Sequence, residues 1–157
     1  MLRILLSHIM TITNINHSSF TVLDVEKLAR FYNEVMGLRL LDLSLRSGEF
    51  SEIATGIKGV QLKIAYLDGG NCSLELVEYI PGSGKYSDTK TSSIGSAHVC
   101  FNVNNILEFV ENFKKGGGTL VAPLATIPGG PNKGKKMAYA KDPEGNTIEF
   151  ISNETYE

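Results

Sequence analysis

The stretch HSSFTVLD at His17–Asp24 returns without gaps as HVCFNVNN at His98–Asn105. The segments that follow also correspond, since LELV, ending at Val77, resembles IEFI, ending at Ile151. A repeat on this scale predicts a fold built from one structural unit used twice. We expect a single domain over residues 1–157, with module one at about 15–80, a linker at 81–96 rich in Gly, Ser and Thr, and module two at about 97–152.

Each module has the pattern of a strand, a helix and three further strands. In module one Asp24 is a predicted N-cap, and in module two Asn105 with Glu108 has the pattern of a capping box. The alternation of apolar and polar residues predicts strands at 14–23, 38–45, 60–67, 72–80, 97–103, 119–122, 136–140 and 147–152. The sequence therefore predicts an α+β fold of two tandem βαβββ modules with their helices on the outside.

The overall composition is that of a globular protein and favours small-molecule chemistry. The 157 residues carry a formal net charge of −2, which favours neither a nucleic acid nor an anionic membrane as partner. The only two cysteines, Cys72 and Cys100, indicate a reduced thiol pair and a cytoplasmic location. The apolar stretch Met1–Met10 is short and lacks a cleavage site, so it is interpreted as an N-terminal extension.

Four side chains on the polar faces of the predicted strands form a candidate metal site. Side chains alternate along a strand, so His17 and His98 oppose the apolar face of the opening strands, and Glu75 and Glu149 oppose that of the closing strands. Two imidazoles and two carboxylates suit one divalent ion such as Zn, Ni, Co, Mn or Fe. Taken singly, such residues are more often solvated, and it is their equivalence in the repeat that indicates a site.

Two neighbours of these residues leave alternatives open. Glu78 competes with Glu75 as the ligand, but strand parity places Glu78 on the opposite face and favours Glu75. Cys100 shares the face of His98, where it is either a substrate contact or, as we expect, a small buried filler.

The sequence resembles the vicinal oxygen chelate superfamily, which includes glyoxalase I, methylmalonyl-CoA epimerase, extradiol dioxygenases and bleomycin-resistance proteins. The motifs that carry the resemblance are His17 with Asp24, Phe31-Tyr32 before Gly37-Leu38, Leu74-Glu75-Leu76, HVCF from His98, and DPEGNTIE over 142–149. The resemblance implies an open, barrel-like mixed sheet around a metal cleft. It also implies that His17, Glu75, His98 and Glu149 are the ligands.

The resemblance implies a metal-dependent lyase or isomerase similar to glyoxalase I or the epimerase. Such enzymes move a proton at the carbon beside a substrate oxygen that the metal binds, and Glu149 or Glu75 is then the expected base. The family's glyoxalase I carries an arginine four residues after its first ligand, where this chain has Thr21. That departure counts against a glutathione adduct and leaves a 2-oxo acid, a hydroxy acid or a thioester as the expected substrate.

Two other members of the superfamily suggest alternative functions. A dioxygenase would use two histidines and one carboxylate as iron ligands and a further active-site histidine, for which the sequence offers only His8. A metal-free, drug-sequestering binding protein would not need the full ligand set. Family members form the cleft within one chain or across a dimer, and we expect a homodimer that covers the outer sheet edges.

Overall fold

The computed structural model describes residues 12–84 and 90–156. The N-terminal extension with His8 and part of the linker lie outside these residues. Module one comprises β1 (His17–Val22), α1 (Val25–Glu34), β2 (Arg39–Arg46), α2 (Glu49–Thr55), β3 (Gln61–Asp68) and β4 (Ser73–Ile80). Module two comprises β5 (Val99–Val103), α3 (Ile106–Lys115), β6 (Thr119–Leu120), β7 (Ala125–Thr126), β8 (Lys135–Lys141) and β9 (Thr147–Thr155). No helix within these residues is long and apolar enough to span a bilayer.

The strands form two mixed sheets, one in each module. The first sheet has the order β1-β4-β3-β2, and the second has the order β5-β9-β8-β6, with β7 also paired to β8. The opening strand of each module pairs in parallel with the closing strand, β1 with β4 and β5 with β9, and the other pairs are antiparallel. The predicted α+β class is confirmed, and each module keeps the predicted βαβββ order with one added element, α2 in module one and β7 in module two. Both sheets are open.

Of the two predicted helix caps, the one at α1 is present and the one at α3 is not. Asp24 caps α1 as predicted, because its side chain accepts a hydrogen bond from the backbone N–H of Lys27 at 3.0 Å. The predicted capping box at Asn105 is wrong. Its backbone N–H donates instead to Glu154 at 3.0 Å, its amide donates to Glu108 at 2.6 Å, and φ is +46°. The carboxylate of the distant Glu154 therefore replaces the local Glu108 as acceptor.

The helices cover the apolar faces of the two sheets. A single hydrophobic cluster joins residues of both modules, and Phe31 of α1 meets Phe113 of α3 edge-on, with ring centroids 5.7 Å apart. Phe113 in turn packs against Phe150 of β9 at 5.0 Å. Because α1 and α3 both lie on this side, neither covers the opposite faces of β1, β4, β5 and β9, which we call the open faces. On β4 the open face also holds Val77, which belongs to a second buried cluster with Val60, Leu62 and Ile64.

The turn between β8 and β9 also links the modules. Asp142 is buried and accepts four hydrogen bonds, from the Tyr32 hydroxyl at 3.0 Å, the Glu144 and Asn146 backbone N–H groups at 2.9 Å each, and the Asn146 amide at 2.8 Å. Burial and the charge of Asp142 raise the pKa of Tyr32 well above its ordinary value. Glu144 accepts the backbone N–H groups of Leu23 and Asp24 at 2.7 and 3.0 Å. The DPEGN motif thus serves the fold by anchoring α1.

Candidate functional site

Module one brings His17 and Glu75 together on the open face of its sheet. His17 begins β1 and Glu75 lies in β4, and the His17 Nε2 and Glu75 Oε2 atoms are 3.5 Å apart. The other ring nitrogen, Nδ1, lies 2.8 Å from the amide oxygen of Asn16. This contact fixes the orientation of the ring and turns Nε2 toward Glu75. His17 is thereby oriented as a ligand would be.

Module two repeats this arrangement with His98 and Glu149. His98 immediately precedes β5, Glu149 lies in β9, and their Nε2 and Oε2 atoms are 3.0 Å apart. The histidine side chains are 36% and 38% exposed, and both glutamate side chains are 12% exposed. The two pairs therefore have nearly the same exposure to solvent.

The described part of the chain does not gather all four predicted ligands into one cluster. It brings His17 to Glu75 and His98 to Glu149, but within residues 12–84 and 90–156 no three His, Cys, Asp or Glu side chains are close enough to hold a metal ion. Each pair is thus half of the predicted ligand set.

The structure also shows where Glu78 and Cys100 lie, the two residues for which the sequence left alternatives open. Glu78 accepts a hydrogen bond from the backbone N–H of Val25 at 3.1 Å, at the start of α1, so it lies on the helix side of the sheet as strand parity requires. Cys100 is exposed, and the expectation of a buried filler is wrong. Partial burial and the neighbouring Glu149 carboxylate raise the pKa of the Cys100 thiol to about 11. Cys100 therefore lines the open face beside Glu149.

Two tyrosines complete the surroundings of the pairs, and sequence analysis missed both. Tyr66 of β3 lies opposite Glu75 in the antiparallel pairing, and Tyr139 of β8 lies opposite Glu149. The Tyr66 hydroxyl donates to Glu75 Oε1 at 2.5 Å, and this bond, with burial, raises the pKa of Tyr66 to about 12. Cross-strand partners share a face, so pairing each glutamate with the preceding strand of its hairpin would have found these residues.

A family model and named relatives both relate this chain to the glyoxalases. A sequence model of the "Glyoxalase/Bleomycin resistance protein/Dioxygenase superfamily" matches residues 14–150. A protein from Haemophilus influenzae named lactoylglutathione lyase is 28% identical over 88% of this chain and 92% of its own. One of the same name from Pseudomonas aeruginosa is 28% identical over 87% of this chain and 80% of its own.

Solved structures show the same fold. A glyoxalase family protein from Bacillus cereus superposes with a TM-score of 0.79 at 23% identity, covering 93% of this chain and 97% of the other. A glyoxalase family protein from Enterococcus faecalis superposes with a TM-score of 0.62 at 22% identity, covering 90% and 99% of the two chains. At these identities the superpositions establish the fold.

Proposed function

Since the chain belongs to the Glyoxalase/Bleomycin resistance protein/Dioxygenase superfamily, we propose that it is a divalent-metal-dependent lyase or isomerase. It moves a proton at the carbon next to a carbonyl or hydroxyl of a small hydroxy acid, 2-oxo acid or thioester. The observation that carries the proposal is the pair of equivalent His–Glu arrangements, His17 with Glu75 and His98 with Glu149, on the open sheet faces. The relatives named lactoylglutathione lyase, whose name denotes a hydroxy-acid thioester, support it.

The donor set fits a divalent metal of borderline softness. Nε2 of His17 faces the carboxylate of Glu75, and module two places the same two atom types at a similar distance. Two imidazole nitrogens and two carboxylate oxygens suit Zn, Ni, Co, Mn or Fe(II) and need no sulfur.

The chain's own residues divide the work of proton transfer. When bound, a divalent cation supplies the charge that stabilises the electron-rich oxygen developing as the neighbouring carbon loses its proton. The histidines hold the cation, since an imidazole that coordinates through its lone pair has none left to accept a proton. A carboxylate has further lone pairs, so Glu149 takes the proton from one carbon and returns it to the substrate.

We propose that the two halves of the site meet in a homodimer, the His17–Glu75 pair of one chain facing the His98–Glu149 pair of its partner. No cluster of three ligands forms within the described part of one chain. The exposed edge strand β2 and the helix α2 also carry large exposed apolar side chains, namely Leu41, Leu43, Leu45, Phe50 and Ile53. Apolar groups in such number on one segment are typical of an interface between chains.

A mixing experiment tests the shared site. His17→Ala and His98→Ala homodimers should each retain little metal. After equal amounts are unfolded and refolded together, half of the dimers are mixed and each holds one intact site, so metal should recover to about a quarter of the wild-type content. The measurement is elemental analysis after dialysis. No recovery in dimers shown to be mixed would place the whole site within one chain.

Two glutamates on one strand provide a matched test of the ligand assignment. Glu75→Gln should weaken metal binding, because a neutral amide replaces a charged ligand. Glu78→Gln should bind metal as the wild type does, because Glu78 lies at the start of α1 on the other face. The loss of its charge near the N-terminus of α1 should cost about 0.3–1 kcal/mol of stability. Calorimetric titration with Zn²⁺ measures the metal affinity, and urea unfolding measures the stability. Equal metal affinities of the two variants would refute the assignment of Glu75 as a ligand.

Elemental analysis of protein purified without added metal tests the proposed function as a whole. About one divalent ion per chain, with turnover of a thioester or hydroxy acid, is the expected result. Iron together with oxygen consumption on catechols would indicate a dioxygenase instead. Metal near zero with tight binding of a drug such as bleomycin would indicate a binding protein.

A further inference from the structure

A tyrosine faces each His–Glu pair at the same place in the repeat. Tyr66 meets His17 edge-on, with ring centroids 5.9 Å apart and an interplanar angle of 80°. Tyr139 meets His98 in the same way at 5.1 Å and 81°. Each tyrosine is also the cross-strand partner of the glutamate of its pair. The duplicated unit is therefore a triplet of histidine, glutamate and tyrosine, not a pair.

The two triplets differ in how they hold the glutamate. The Tyr66 hydroxyl donates to Glu75 Oε1 at 2.5 Å, while Oε2 of the same carboxylate faces His17. Tyr139 makes no hydrogen bond to Glu149 in the part of the chain that the structure describes. The strand partner of Glu149 on its other side is Cys100, whose thiol is a weak donor. Both glutamates face a histidine, but only Glu75 also accepts a hydrogen bond from a phenol.

The difference bears on which carboxylate can move. A hydrogen bond from a phenol to an ionised carboxylate is charge-assisted and stronger than one between neutral groups. Reorienting Glu75 would break this bond and leave the partly buried Tyr66 hydroxyl without a partner. Reorienting Glu149 breaks only the weaker hydrogen bond from the Cys100 thiol. Donors of this kind orient metal ligands and raise metal affinity.

We propose that Tyr66 is a positioning residue that fixes Glu75 as the permanent carboxylate ligand, so that Glu149 is the carboxylate free to swing toward the substrate. This inference rests on the proposed function, because it assigns different roles to two residues of that site. Tyr139, at the equivalent place but without the hydrogen bond, has no such role and provides the matched control.

The test measures metal binding without substrate, using Co²⁺, whose visible absorption reports its coordination. Tyr66→Phe removes one oxygen atom and should raise the Co²⁺ dissociation constant about 10–100-fold and change the absorption bands. Tyr139→Phe should change the dissociation constant less than about twofold, because no hydrogen bond to a ligand is lost. Equal effects of the two substitutions, or none from Tyr66→Phe, would overturn the inference.

A double substitution shows whether Tyr66 acts through Glu75. If it does, adding Tyr66→Phe to Glu75→Gln should change Co²⁺ affinity much less than Tyr66→Phe alone, since interacting residues are not additive. Fully additive effects would show that Tyr66 acts elsewhere and would overturn the inference. If the wild-type protein binds no Co²⁺, the proposed function itself is refuted, and this inference with it. If the wild type binds Co²⁺ and Tyr66→Phe binds it equally well, only this inference is refuted.

Discussion

Replacing Glu149 with glutamine is expected to leave some metal bound and to lower turnover by a factor of about 10²–10⁴, the usual effect of losing a general base. The amide keeps the size of the side chain and one oxygen, but it cannot accept a proton at neutral pH. The neighbouring His98, 3.0 Å from Glu149, remains in place to hold the metal. The measurement is kcat with a thioester substrate, together with metal content determined on the same sample.

The controls for Glu149→Gln are the other residues of the proposed ligand set. His17→Ala and His98→Ala should lose activity because they lose metal, and turnover should fall in proportion to metal content. Glu75→Gln should weaken metal binding, and turnover at saturating metal should exceed that of Glu149→Gln. If Glu149→Gln turns over like the wild type when fully loaded, Glu149 is not the base.

Asp142→Ala is expected to have the largest effect on stability, about 3–4 kcal/mol. The buried carboxylate accepts four hydrogen bonds, so its loss strands the Tyr32 hydroxyl in the core and opens the turn that joins module two to α1. At about 2–4 °C per kcal/mol for a chain of this size, the midpoint of thermal unfolding should fall by about 6–16 °C. Calorimetry and urea unfolding measure the loss.

The matched control for Asp142 is Asp24, a second aspartate that accepts a backbone N–H group. Asp24 is exposed and caps α1 through one hydrogen bond, so Asp24→Ala should cost about 0.5–2 kcal/mol. Tyr32→Phe removes only one of the four hydrogen bonds to Asp142, so its loss of stability should lie between the losses of the two alanine variants. Equal losses from Asp142→Ala and Asp24→Ala would contradict the role assigned to the buried turn.

Most of the architecture could be predicted because it depends on local patterns. The repeat beginning at His17 and His98 is enough to predict two modules. Strand alternation is enough to predict that Glu75 and Glu78 lie on opposite faces of the sheet. The predicted strand at 38–45 was found at Arg39–Arg46. The helix α2 was missed, because only Ser51 within it is buried and Gly48 provides no side-chain cap. A short exposed helix has no apolar stripe to predict it from.

The parts that could not be predicted depend on contacts between distant segments. The failed capping box required knowing that Glu154 reaches the backbone of Asn105. The bond from Tyr66 to Glu75 depends on hairpin register, which shifts with turn length. Strand parity shows that His17 and His98 face away from the helices, but it does not fix how two sheets, or two chains, face one another.

Thr21 bears on the substrate that we propose for this chain. Thr21 stands four residues after His17, on an exposed part of β1, where the family's glyoxalase I has an arginine. A hydroxyl cannot pair with a carboxylate of glutathione as a guanidinium does. Substrate tests should therefore include thioesters of glutathione and of coenzyme A side by side.

Hydrogen exchange at the carbon beside the thioester carbonyl tests the proposed proton transfer most directly. The metal-loaded protein is incubated in deuterium oxide with S-lactoylglutathione or methylmalonyl-CoA, and the α-hydrogen is followed by proton NMR. We expect loss of this signal with the wild-type protein for at least one thioester, and exchange slower by about 10²–10⁴ with Glu149→Gln. Oxygen-dependent turnover without exchange at the α-carbon would contradict the proposed proton transfer and favour a dioxygenase.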